Sequence, residues 1–248
     1  MSELVHLDVA DGVATITLDS EHNRNALSRQ LVSELREHLA SAEGDPDAKV
    51  VVIRSAHRVF CSGADLSEAS SGSMEEGTRA IVDLQRRIVT STKPVVVVLG
   101  GPVRAGGLGI VGAADIVLAG ESVTFALTEV RIAVAAATIS LSLLERLAPR
   151  FAADVFLTGR TFTAAEAATA GLVTRAVPDA ELDDALAAVL TDLAQGHAQG
   201  FRETKELLNH DVVARIDALG DQVAQQSARL FGSDEAREAM LAFLSRKR

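Results

Sequence analysis

The stretch Gly101–Glu129, GPVRAGGLGIVGAADIVLAGESVTFALTE, decides how the rest of the chain is read. It follows the valine run of Val95–Leu99, is dense in glycine and ends on one carboxylate in apolar surroundings. Glycine lets backbone N–H groups stand where no side chain blocks them. A carboxylate flanked by Phe125, Ala126, Leu127 and Val130 holds its proton more tightly than a solvated one. Open amide donors beside a tuned acid/base are the parts required for chemistry next to a carbonyl. Glu129 also has a plainer reading, as a helix cap or a surface residue. Its flanks FALT and VRIAVAAA weigh against simple solvation.

The same stretch contains a literal G-x-G-x-x-G at Gly107, Gly109 and Gly112, with Glu129 lying 20 residues beyond Gly109. On paper that is a dinucleotide fingerprint. Two details count against it. The strand ends near Leu99, so GGPVRA intervenes where the fingerprint requires an immediate tight turn. Asp115–Ala119, DIVLA, reads as another strand and not as the rest of a phosphate-binding helix.

Around this segment the chain alternates strands and helices. Leu4–Ala10 and Val13–Asp19 flank Asp11-Gly12, a two-residue hairpin signal. Leu27, Leu31, Leu35 and Leu39 predict a helix over Leu27–Glu43 that stops at Gly44-Asp45-Pro46. Lys49–Arg54 and Val95–Leu99 read as buried strands. Between them lies a polar loop, Ser67–Gly77, in which Ser73 and Glu76 have capping-box spacing for a helix to about Thr90. Ile116–Leu118 and Val123–Ala126 read as shorter strands. Thr163 and Glu166 form a second capping-box pair, with Gly171 as the stop. Leu182–Leu193, Phe201–Asn209, Ile216–Leu230 and Asp234–Leu244 show helical spacing. The first half therefore implies an α/β core. The helical tail has no strand partner and packs on that core or on another subunit.

Composition narrows the function classes. A length of 248 residues suits one large domain, or one with a helical extension, and 48% apolar residues supply a substantial core. A net charge of −10 argues against general nucleic-acid binding, as does the lack of Trp and Tyr. The single cysteine, Cys61, excludes an internal disulfide and fits a reducing cytoplasm. The N-terminus MSELVHLDVADG lacks the pattern of a secretory signal. The apolar run near Val95–Val103 is too short to span a bilayer. The histidines His6, His22, His38, His57, His197 and His210 have no metal-ligand spacing, so no metal site is expected.

A second candidate site is Phe60-Cys61-Ser62-Gly63-Ala64-Asp65-Leu66, just after a buried strand. Small residues there suit a ligand loop. The alternative is an ordinary strand-to-helix turn with Asp65 as a cap. Cys61 reads as a buried small residue, not a nucleophile, since no histidine is close in sequence.

Taken together these segments resemble the enoyl-CoA hydratase/isomerase, or crotonase, family. The resemblance covers nearly the whole chain in order. Asn25-Ala26-Leu27-Ser28 resembles the family's NALS segment, and Phe60–Leu66 its F-x-x-G-A-D-L loop. Lys93-Pro94-Val95 and Ala105-Gly106-Gly107 are similar to its KP strand and Gly-rich loop, and Asp115-Ile116 to its C-D-I. Leu157–Arg160, Ala170–Val173 and the Asp234–Phe243 region match its LTGR, GLV and C-terminal helix patterns.

The resemblance implies a crotonase-like ββα spiral core over 1–190 and a helical trimerisation region over 191–248. It implies a homotrimer or dimer of trimers acting on an acyl-CoA, with coenzyme A as part of the substrate and no separate cofactor. By resemblance, the N–H groups of Ala64 and Gly106 form an oxyanion hole for the thioester oxygen. Arg24, Ala26, Ala64, Asp65, Leu66 and Gly106 then hold the CoA thioester, and Glu129 is the catalytic acid/base. Hydratases of the family commonly carry a first glutamate three residues after the second hole residue, where this chain has Gly109. One carboxylate remains. The implied activity is hydration of a 2-enoyl-CoA. The alternatives are a 3,2-enoyl-CoA isomerase, with Glu129 moving the proton, or an acyl-CoA-binding paralogue without turnover. Arg104 departs from the small or apolar residue usual there. It is read as part of a structural ion pair in its loop, or as a contact for the CoA phosphates.

Overall fold

A computed structural model describes residues 2–65, 67–68 and 74–245. Leu66 and the Ser73 half of the first capping-box pair lie outside the described residues.

Val5–Ala10 (β1) and Val13–Leu18 (β2) pair antiparallel, Ala10 opposite Val13. Asp11 and Gly12 between them take φ of 52° and 82°, the positive values that a tight hairpin turn needs. Further strands are Val50–Ser55 (β3), Val95–Leu99 (β4), Val103–Arg104 (β5), Ile116–Gly120 (β6), Thr124–Ala126 (β7), Thr161–Thr163 (β8) and Arg175–Val177 (β9). One sheet runs β1-β2-β3-β4-β6-β9, parallel after the first hairpin. A smaller sheet runs β5-β7-β8, with Phe125 stacked on Phe162 at 5.3 Å.

The strands β3 and β4 are covered on both faces, which is why they read as unbroken apolar runs. Val51, Ile53, Val97 and Leu99 enter the larger core. Val50, Val52, Val96 and Val98 meet Leu182, Leu186 and Val189 of a helix on the other side.

The helices are Arg29–Gly44 (α1), Met74–Thr90 (α2), Gly107–Ala113 (α3), Ser140–Arg146 (α4), Pro149–Thr158 (α5), Ala164–Thr169 (α6), Leu182–Ala194 (α7), Ala198–Phe231 (α8) and Asp234–Ser245 (α9). The α1 helix begins after Leu27, not at it. The Ser28 side chain accepts the Leu31 N–H as N-cap, while Leu27 donates its own N–H to Gly63 O at 2.8 Å and stays extended. Both halves of the Thr163–Glu166 capping box form at α6. The segments Phe201–Asn209 and Ile216–Leu230, separate in the sequence reading, are one helix of 34 residues. Asn209, Val212, Ile216, Gly220, Ala224 and Ser227 bury one continuous stripe of α8, which packs on α2 and α4. Tertiary packing of that stripe outweighs the β-branched residues Val212 and Val213 between the two segments.

A polar clamp fastens α8 to the sheet. Lys205 Nζ donates to Asp115 Oδ2 at 2.5 Å and to Lys93 O at 2.9 Å. Asn209 donates to Asp115 Oδ1 and accepts from Arg146. The tail thus packs on its own core. No helix among the described residues is long and apolar enough to cross a membrane.

Candidate active site

Two loops converge where β3 and β4 end. The Asn25 amide staples the first. Its side chain accepts from Ser20 N and donates to Ser55 Oγ, Val59 O and Phe60 O. Arg24 and Asn25 are held at positive φ, and Ser62 donates its N–H to Arg24 O. Leu27 bridges Ala64, and Cys61 bridges Val103 of the second loop. Gly63, at φ 99°, passes so close that a Cβ on it would lie 2.8 Å from Ala105 Cβ. A methyl on Gly106 would lie 3.0 Å from Leu27 Cδ1 and 3.7 Å from Ala64 N. These close approaches explain the small residues in both loops. They set Ala64 and Gly106 side by side at the N-terminus of α3. Among the described residues neither the Ala64 nor the Gly106 N–H donates a hydrogen bond. Both residues line a cavity of about 660 Å³.

Glu129 lines the same cavity, at the start of a 3₁₀ turn over Glu129–Ile132. It is 9% exposed, and its Oε2 is buried with no hydrogen-bond partner among the described residues. Burial pushes its carboxyl up to about 7, opposed only by its own backbone N–H. The cavity therefore joins two free N–H donors to one acid/base group that is part-protonated at neutral pH.

The other expected binding residues divide. Ala26 and Asp65 line the cavity with Ala64 and Gly106. Asp65 accepts from Asn23 Nδ2 and from Ser67. Burial works to raise its carboxyl, but these bonds prevail and hold it below the usual value. Arg24 is exposed at the rim, and its guanidinium makes no ion pair among the described residues. The ion pair expected at Arg104 is replaced by neutral acceptors. Its guanidinium donates to Val103 O, Thr124 O and Thr124 Oγ1, tying β5 to β7. Burial lowers its pKa from the usual arginine value.

Cys61 is buried, and burial pushes its thiol up to about 12, which suits packing and not nucleophilic chemistry. The G-x-G-x-x-G glycines serve close packing. Gly107 lies against Cys61, and Gly112 against Ser142 and Leu143. Gly109 is not among the described lining residues and lies under Ile139 and Gln85. A Cβ there would sit 2.9 Å from Ile139 Cγ2 and 3.2 Å from Gln85 Cδ. No histidine is among the described lining residues, and no described cluster of His, Cys, Asp or Glu could hold a metal ion.

Gln85 went unnoticed in the sequence. Its amide donates to Thr138 O and accepts from Ser142 Oγ, closing the space beside Gly109. The available signal was a glutamine spaced with Val82, Ile88 and Val89 on the buried stripe of α2. Thr138, Ser227 and Phe231, also on the cavity wall, were missed as well.

Comparison with known proteins bears on the family of the whole chain. The profile of the family described as Enoyl-CoA hydratase/isomerase matches residues 8–248. The chain is similar to enoyl-CoA hydratase EchA19 of Mycobacterium tuberculosis, 31% identical over 246 residues, covering 94% of this chain and 90% of that one. It is similar to the crystal structure of an enoyl-CoA hydratase from Mycobacterium avium, with a TM-score of 0.92 and 46% identity over 99% of this chain and 98% of that one. A second Mycobacterium avium enoyl-CoA hydratase structure, from subsp. paratuberculosis K-10, gives a TM-score of 0.88 at 28% identity, covering 98% and 96%.

Proposed function

The chain belongs to the enoyl-CoA hydratase/isomerase family, and from that premise we propose that it adds water across the double bond of a 2-enoyl-CoA thioester. The observation that carries this reading is Glu129, whose Oε2 has no partner among the described residues, in one cavity with the Ala64 and Gly106 N–H groups, which donate to none of them. The thioester oxygen accepts from both N–H groups. As water adds to C3, negative charge develops on that oxygen, and each such donor contributes about 3–4 kcal/mol to the transition state. The Glu129 carboxylate takes the proton from the attacking water. The resulting acid returns a proton to C2, so the net change is addition of one water. Arg24, unpaired at the rim, meets the CoA phosphates, and Ala26, Asp65 and Leu66 hold the thioester region with the hole residues. The helices after residue 190 form the trimerisation region. Support for it is that Leu207 and Leu208 on α8 are 80% and 68% exposed. The buried lone thiol suits a cytoplasmic setting.

Isomerisation is the second reading, and Gly109 favours it. Position 109, packed against Ile139 and Gln85, supplies no second carboxylate beside Glu129. A single carboxylate suffices to carry a proton between C2 and C4.

The deciding experiment supplies crotonyl-CoA, longer 2-enoyl-CoAs and 3-enoyl-CoAs in deuterated water. Loss of the conjugated-thioester absorbance with a 3-hydroxyacyl product identifies hydration. Positional exchange without hydroxylation identifies the isomerase. No turnover of any of them, with CoA esters still bound, would leave an acyl-CoA-binding protein.

A further inference from the structure

The wall formed by α2 and α8 carries a polar group that the reaction above does not use. Ser227 is 4% exposed and lines the cavity. Its hydroxyl makes no hydrogen bond among the described residues, not even to the preceding turn of α8. Its Oγ is not among the fully buried partnerless side-chain atoms of the described residues, so it keeps some open surface. The open space it meets is therefore the cavity. Its neighbour across the helix pair, Thr78, is fixed, donating to Glu75 O and to Ala224 O one turn before Ser227. Thr138, 7% exposed, adds a second hydroxyl with no side-chain bond to the same lining. Phe231 and Ile81 supply the apolar surround.

A buried hydroxyl with no partner is unfavourable in a cavity meant only for alkyl chains. It becomes favourable when the ligand brings an oxygen to it. The charge of that ligand group also follows. Among the described lining residues the cations are Arg24, Arg29 and Arg104, and none belongs to α2 or α8. A carboxylate at this wall would find no counter-charge there, whereas a hydroxyl or carbonyl would be satisfied.

We propose that the α2–α8 wall, through Ser227, selects acyl-CoAs whose chain bears a neutral oxygen function, a hydroxyl or a ketone, beyond the reacting carbons. This rests on the acyl-CoA reading of the cavity but not on the fate of the double bond. Ser227 is a specificity residue in this account, remote from the acid/base step.

Binding tests it without turnover. Affinities are measured by calorimetry for saturated acyl-CoAs carrying a hydroxyl at C4, C5, C6 or C8, each against its plain alkyl counterpart. At one position or more the hydroxylated ester binds at least about fivefold tighter, the worth of one net hydrogen bond. Ser227→Ala, a mild change within a helix, abolishes that preference and leaves the alkyl esters bound as before. Equal or weaker binding of every hydroxylated ester overturns the proposal, as does a preference that survives Ser227→Ala. If the alkyl esters bind and a 2-enoyl-CoA is hydrated while no preference exists, the proposal fails and the hydratase reading stands. If neither series binds, the acyl-CoA reading fails and takes the proposal with it.

Discussion

Asp115 and Glu129 are both carboxylates withdrawn from solvent, and the chain surrounds them in opposite ways. Asp115 accepts from Val95 N at 2.7 Å, Lys205 Nζ at 2.5 Å and Asn209 Nδ2 at 3.2 Å. Glu129 Oε2 accepts from none of the described residues. In the first case a counter-charge and hydrogen bonds offset the loss of water, so the charged group serves as a rivet between β4, β6 and α8. In the second only the residue's own backbone N–H opposes the loss of water, so the proton sits near its point of half-dissociation at neutral pH. Saturated partners make a carboxylate structural. Missing partners make it available for chemistry.

Four changes would break or sharpen this contrast. The largest effect is expected at Glu129. Glu129→Gln keeps the shape and removes the exchangeable proton, so turnover of the best enoyl-CoA falls by up to about 10⁴-fold, the range of general acid–base catalysis. Acyl-CoA affinity, measured separately, stays within about tenfold. Near-normal turnover would mean the base is assigned to the wrong residue.

Next comes the rivet. Burial lowers the Lys205 pKa, with Asp115 opposing the shift. Lys205→Met leaves Asp115 without its counter-charge, and thermal and denaturant unfolding should report a loss of about 3–5 kcal/mol. Adding Asp115→Asn should recover part of that loss. Turnover per folded molecule should change little.

A third effect lies in the pH dependence of stability. The folded carboxyl of Glu129 titrates at about 7, above the ordinary value of 4.5. Below 4.5 both states hold the proton and the group contributes no penalty. As pH rises from 4.5 to 7 the unfolded chain releases its proton first, so stability falls, and above 7 the penalty levels off. Its size is of order 3 kcal/mol. Denaturant unfolding of wild type and Glu129→Gln across that range should converge at low pH and separate at high pH, with the variant gaining. The rate profile has the opposite slope. Turnover needs the carboxylate, so kcat/KM should rise with pH and flatten above about 7.

The smallest effect concerns Gly109. Gly109→Glu overpacks the space held by Ile139 and Gln85 and should cost about 1–3 kcal/mol in stability. It should not raise hydration. Combined with Gln85→Ala it should recover stability, because the new side chain then takes the vacated volume.

Much of this was legible in the sequence where local chemistry decides the outcome. Asp11-Gly12 turned the hairpin because both positions accept positive φ. Thr163 and Glu166 capped α6 because the reciprocal bonds need only their spacing. Glu129 stood out because its flanks are apolar. Outcomes set by distant partners were not legible. Helical spacing could not reveal that α8 runs unbroken, since the stripe that joins its halves is defined by what α2 and α4 present to it. Arg104 read as one half of an ion pair, yet its acceptors are carbonyl and hydroxyl oxygens of a strand 20 residues away. Gln85 and Ser227 are polar residues on buried helix faces, and periodicity assigns a face without saying what meets it.

The single thiol has a consequence of its own. Cys61 lies sealed under the first loop, and a Cβ on Gly107 would come 2.7 Å from its own Cβ. A thiol reagent reaches sulfur only after Cys61 and Gly107 part, the same event that separates Ala64 from Gly106. With no second cysteine to confuse the signal, the rate of labelling counts how often the two loops come undone. The molecule carries its own clock for the lifetime of its assembled site.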